Sequence, residues 1–192
     1  MSAEPHRSIS VTDYLAAERQ AETKSEYLDG EVFAMSGASR SHNLIALNAA
    51  ASMHGQLKGR PCETYAGDMR VHIPATGFYT YPDVTVVCGE PRFDDSELDT
   101  LLNPTLLIEV LSPSTEGYDR GKKFAHYRTL DSLREYVLVA QEEVRVEVFT
   151  RREDGHWLLS EASRLDEAIP LASIGCELRL TDVYDRVISA LP

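Results

Sequence analysis

Most of the chain is laid out by its alternation of apolar and polar positions. Ser10-Val11-Thr12-Asp13 reads as an N-cap with an acidic residue in the first turn, predicting a short helix to about Ala21. Positions 26–35 read as two short strands around Asp29-Gly30, a hairpin dipeptide. Ser39 or Ser41 then caps a helix to about Lys58, with Ile45, Ala49, Met53 and Leu57 along one face and Gly59-Arg60-Pro61 ending it. Positions 62–73 are extended and 74–77 form a turn. Positions 80–88 predict one strand, with Val84, Val86 and Cys88 on one face and Asp83, Thr85 and Val87 on the other.

A long acidic loop, 89–103, follows. Positions 105–111 are an apolar run of the length of a buried central strand. Ser112-Pro113-Ser114-Thr115 forms a turn and cap before a helix from about Tyr118 to Leu130. Strands are predicted at 135–140 and 144–150; the second sets Val144, Val146 and Val148 against Arg145, Glu147 and Phe149, so one of its faces is expected to be wet. The tail adds 157–159, a strand at 177–180 and a short helix from about Thr181. This order predicts an α/β (α+β) sheet protein and not a regular βαβ repeat.

Composition narrows the class. At 192 residues, 43% hydrophobic and 26% charged, the chain fits one globular domain, with residues 1–8 expected to be flexible. No apolar run approaches the ~20 residues of a membrane span, and the first residues lack a signal peptide's pattern, so a cytoplasmic protein is expected. Cys62, Cys88 and Cys176 are odd in number and widely spaced. That argues against a disulfide framework and a cysteine zinc site, and suits a reducing compartment. The net charge of −12 opposes unaided binding to a phosphate backbone; bound cations or a one-sided distribution would be needed.

Within that frame a few residues carry chemistry. Glu109 lies inside Leu106-Leu107-Ile108-Glu109-Val110-Leu111, where a carboxylate must be paired, protonated or bound to metal. Asp83, after Pro82, opens a second apolar strand. Two inward acids on neighbouring strands ~5 Å apart repel unless a cation lies between them, and oxygen-only ligation suits Mg²⁺ or Mn²⁺. Lys123 follows Asp119 at i,i+4, a pairing worth ~0.3–0.5 kcal/mol on a helix surface. The other reading turns its ammonium toward the metal. No Gly-rich phosphate loop or GxSxG elbow is present.

Pro82-Asp83, Glu109-Val110-Leu111, Lys123 with Tyr127, and 134–139 together resemble the Uma-type restriction endonucleases of the PD-(D/E)xK nuclease superfamily. The likeness extends to 26–31, Ser41-His42-Asn43 and 68–71, and covers roughly 10–150. It implies a restriction-endonuclease-like mixed sheet flanked by helices, with an N-terminal helix and hairpin. It further implies Asp83 and Glu109 as ligands of Mg²⁺ (or Mn²⁺) and phosphodiester hydrolysis in nucleic acid, DNA in particular. A homodimer is expected on the same ground. The superfamily lysine should fall at position 111, where this chain has Leu111; in this family it has moved to the following helix, as Lys123, with Lys122 its competitor. His42 and Glu26 are lesser candidates: His42 for phosphate or metal-bound water against a capping or surface residue, Glu26 for the site against a hairpin anchor. Asp68 is read as structural, and Ser112, Ser114 and Thr115 as a phosphate-binding feature at a helix start. Against the endonuclease stands a nuclease-fold protein acting only as a binding or regulatory module, which Leu111 and the acidity favour. A carboxylate-pair glycosidase has no support beyond its two acids.

Overall fold

The computed structural model describes residues 8–187. Ser10 accepts from the Asp13 N–H and starts α1 (Val11–Glu18). β1 (Ser25–Leu28) and β2 (Glu31–Ala34) form the expected hairpin, with Asp29 and Gly30 both at positive φ, as a two-residue primed turn requires. Ser39 caps α2 (Arg40–Leu57), which buries Ile45, Ala49, Met53 and Leu57. The strands β3 (Cys62–Ala66), β4 (Arg70–Ile73), β5 (Phe78–Thr80) and β6 (Val84–Cys88) follow.

The single strand expected over 80–88 is therefore two. The chain bends at 81–83, where Pro82 has no N–H to give a ladder, so β5 and β6 enter different sheets. The acidic loop contains β7 (Thr100–Leu101), and β8 (Leu106–Leu111) is fully buried. After it comes a helix in three parts: α3 (Glu116–Tyr118), a π-helical turn (Asp119–Lys123) and α4 (Phe124–Tyr127). β9 (Glu135–Ala140), β10 (Val146–Arg151), β11 (Trp157–Ala162), β12 (Ala168–Leu171), β13 (Cys176–Arg179) and α5 (Leu180–Val183) complete the described chain. β12 carries only two inward positions, Ile169 and Leu171, too short an alternation to be read beforehand. The face of β10 expected to be wet is not: Glu147 is buried, and Arg120 donates to its carboxylate.

Two large sheets hold the molecule, and β12 pairs with β13 as a third, two-stranded one. Of the large sheets, one runs β2-β1-β5-β4-β7; the other, β11-β10-β9-β8-β6-β3, is mixed, with β8 parallel to β9 and antiparallel to β6. Residues 106, 108 and 110 of β8 pack with Val84 and Val86 beneath α2. Residues 107 and 111 face the other way, against Phe124, Tyr127, Tyr136 and the Val71, Ile73 and Phe78 side chains of the first sheet. Each fully buried large apolar side chain contributes about 1.5–3 kcal/mol, so both faces of β8 are firmly held. Glu109 belongs to the second face, between two leucines.

Contrary to the expectation from their spacing, two of the three cysteines pair. The antiparallel register makes Cys62 of β3 and Cys88 of β6 direct partners, their Cα atoms 4.0 Å apart, and they form a disulfide; Cys176 is free and buried. Spacing along the chain does not report sheet register, and the pairing removes the cysteines as support for a reducing compartment. Among the described residues, no helix is long and apolar enough to cross a membrane.

Candidate active site

The register of β6 on β8, Val84↔Ile108, carried one residue further sets Asp83 opposite Glu109. Asp83 is pinned at both oxygens: Val110 N–H donates to Oδ2 at 2.7 Å, and His42 Nε2, two residues into α2, lies 2.8 Å from Oδ1. Each carboxylate oxygen retains a second lone-pair direction, so neither contact closes Asp83 to a further partner.

Glu109 is buried, and both of its donors use the same oxygen: Tyr127 Oη at 2.7 Å and Lys123 Nζ at 2.9 Å reach Oε1. Tyr127 lies four residues beyond Lys123, and the π turn ending at Lys123 sets the register in which the two meet at one carboxylate. Lys123 also lies 3.1 Å from Glu26 Oε1 and 3.8 Å from Asp119 Oδ1. Thr80 Oγ1 donates to that Glu26 oxygen at 2.5 Å, which ties β1 and β5 to the helix.

Three carboxylates, Glu26, Glu109 and Asp119, thus share one buried ammonium, and Asp83 stands beside Glu109. Burial pushes the Glu109 carboxyl up to about 8; Lys123 pulls it down, while Asp119 and Asp83 push further up. Asp119 is also raised, by burial first. Lys123 moves the other way from a lone buried lysine: desolvation opposes its charge, but Glu109, Glu26 and Asp119 outweigh it and raise its pKa. The ammonium therefore keeps its proton throughout the neutral range. The cluster favours either a partly protonated carboxylate set or additional positive charge.

The structure brings together Asp83, Glu109, Lys123, His42 and Glu26, the five residues singled out from sequence. Lys122 is exposed, which leaves Lys123 as the lysine turned inward. His42 is not merely a capping or surface residue, because Ser39 performs the capping and the ring contacts Asp83. Asp119 joins the site, although its i,i+4 spacing to Lys123 had the look of a surface pair; only the burial of this helix distinguishes the two. Asp68 is exposed and paired with Lys24 at 3.0 Å, away from the buried group. Leu111 packs under the helix with Phe124 and Tyr127, so position 111 serves the core that carries Lys123.

These residues open into a cleft of about 1000 Å³ between the hairpin, α2 and the turn at 112–115. Among the described residues, no three His, Cys, Asp or Glu side chains are gathered into one ready coordination sphere.

Two packed layers of mixed sheet with a carboxylate–lysine cluster between them define a restriction-endonuclease-like architecture. A crystal structure from Anabaena variabilis ATCC 29413, described as a "putative nuclease belonging to DUF820", superposes with a TM-score of 0.73 at 19% identity, covering 93% of this chain and 99% of that one. The chain belongs to the Uma2 family, "Putative restriction endonuclease", whose model matches residues 11–181. Two proteins of Synechocystis sp. (strain ATCC 27184 / PCC 6803 / Kazusa) are similar to it. "Uncharacterized protein sll1609" is 39% identical over 153 residues, 80% of this chain and 86% of its own length. "Uncharacterized protein slr1290" is 36% identical over 180 residues, 94% and 93% respectively.

Proposed function

We propose that the protein is a divalent-metal-dependent endonuclease that hydrolyses phosphodiester bonds in DNA, with Asp83 and Glu109 holding Mg²⁺ or Mn²⁺ and Lys123 beside them. The observation that carries this reading is the excess of buried carboxylates over the single ammonium in a cleft open to solvent. The donor set fits: Mg²⁺ is commonly held by one or two carboxylates and completes its shell with waters and substrate phosphate oxygens, so two acids without a third ligand suffice. Such an ion supplies Lewis acidity and an activated water when bound.

The chain's own residues have separable tasks. His42 and the Val110 N–H hold the Asp83 carboxylate in one orientation. Tyr127 does the same for Glu109, leaving Oε2 outside both of its bonds. Lys123, kept charged by its neighbours, stabilises negative charge on the attacking oxygen or the phosphate and does not act as a general base.

The test is cleavage of plasmid and single-stranded DNA by purified protein with Mg²⁺ or Mn²⁺, alone and with EDTA. Cleavage that EDTA, Asp83→Asn and Lys123→Met each abolish supports the reading. Mn²⁺ binding without cleavage of any nucleic acid would favour a non-catalytic binding module instead.

A further inference from the structure

β2 is an edge strand with all four residues exposed, and Phe33 keeps 47% of its surface in solvent. A single exposed aromatic is ordinary; its register is not. Phe33 is the direct cross-strand partner of Glu26, so the two side chains leave the hairpin on the same face, roughly 5 Å apart. Glu26 is bonded to Lys123, and Phe33 therefore stands one residue-width from the carboxylate cluster, on the wall of the same cleft. α2 adds Leu47, 62% exposed and one turn beyond Asn43, to the lining of the same cleft. Met35 and Ala46 extend this apolar strip.

The rest of the cleft is acidic. Glu22, Glu26, Asp68, Asp83, Glu109 and Asp119 line it, against two lysines, Lys24 and Lys123, both of which already pair with acids. A duplex would bring two phosphate strands against this wall with no unpaired cation among the lining residues to receive the second. A single strand presents one phosphate to the site and leaves an unpaired base whose flat apolar face matches the strip.

We propose that Phe33 is a stacking platform for an unpaired base next to the scissile phosphate, with Leu47 in the same cleft, and that the substrate is single-stranded or locally unpaired nucleic acid. This rests on the nuclease reading above and specifies its substrate class. Stacking on an aromatic side chain is worth ~1–3 kcal/mol per base and tolerates any base, so Phe33 sets strandedness and not sequence.

The experiment measures binding, with Ca²⁺ in place of Mg²⁺, of a single-stranded DNA oligonucleotide carrying 2-aminopurine, and of its duplex, to the full chain. The fluorescence of the base reports stacking directly. The expected result is quenching by wild-type protein, about tenfold weaker single-strand binding and loss of quenching for Phe33→Ala, recovery in Phe33→Trp, and weaker binding of the duplex. Phe33 is exposed, so the variant should retain its fold, which circular dichroism verifies.

Equal single-strand affinity of Phe33→Ala and wild type, or duplex binding as tight as single-strand binding, overturns the proposal. So does a dimer that Phe33→Ala converts to monomer, since the strip would then be a surface for a second copy. Stacking with no cleavage in Mg²⁺ would sink the nuclease reading while leaving the platform standing. Cleavage of both strand forms alike, without Phe33 dependence, would do the reverse.

Discussion

Lys123→Met is the most informative single change, because it removes the one ammonium that three buried carboxylates share while nearly conserving volume. Removing one partner of a buried ion pair costs about 3–5 kcal/mol, because the remaining charge is left uncompensated. Here the cost depends on pH. Burial holds the folded Glu109 carboxyl near 8, above its ordinary 4.5, so it contributes stability that is present below about 4.5 and lost as pH rises through about 8. Without Lys123 the main influence lowering that pKa disappears, and ionising Glu109 and Asp119 in place becomes costlier still. Near pH 5 the Glu109 carboxyl is protonated in the fold, and there the variant loses chiefly a hydrogen bond, about 1 kcal/mol. Near pH 9 the gap should open to about 3–5 kcal/mol. Urea unfolding midpoints of both proteins, measured from pH 5 to pH 9 in EDTA, give the difference directly. Adding Glu109→Gln to the variant should close much of the gap at high pH, since the two residues act as a unit. A gap that is constant with pH, or a variant more stable than wild type at pH 9, would refute the electrostatic account of this cluster.

Other expectations follow from the same geometry. His42→Ala should weaken Mn²⁺ binding by about 10–100-fold, measured by calorimetry, because it frees the Asp83 carboxylate to reorient; an unchanged affinity would make the His42 contact incidental. Because Glu109 is largely protonated below about 8 in the metal-free protein, metal binding should release a proton between pH 6 and 8 and tighten as pH rises. Titrations in buffers of different ionisation enthalpy detect that proton, and identical heats in all of them would contradict it. Reducing the Cys62–Cys88 disulfide, which spans 26 residues, should lower stability by about 3 kcal/mol without altering metal affinity; a melting temperature insensitive to reductant would show that the bond contributes little.

Local signals made much of the fold legible. The Ser10 and Ser39 caps, the Asp29-Gly30 turn and the 3.6-residue stripe of α2 each act within a few residues, and the chain obeys them. Glu109 was legible for a different reason, since a carboxylate within an otherwise apolar strand demands a partner. What could not be read depends on contacts distant in sequence. Cys62 and Cys88 meet because β3 and β6 are neighbours, Glu147 is covered because Arg120 lies over β10, and Asp119 is buried because its helix packs against β8. Lys123 stands between the two cases. Its place on the helix was known from resemblance, but only the π turn and the packing of Leu111 beneath α4 show why a lysine there reaches Glu109.

The most direct test of the proposed centre is a crystal of the protein soaked in Mn²⁺, with the anomalous signal used to locate the ion. One peak is expected between Asp83 and Glu109, in coordination distance of an oxygen of each, with Lys123 Nζ within hydrogen-bond reach of the ion's water shell. No peak at saturating Mn²⁺, with Lys123 still bonded to Glu109 and His42 to Asp83, would show that the ammonium alone balances these carboxylates and that they hold no metal.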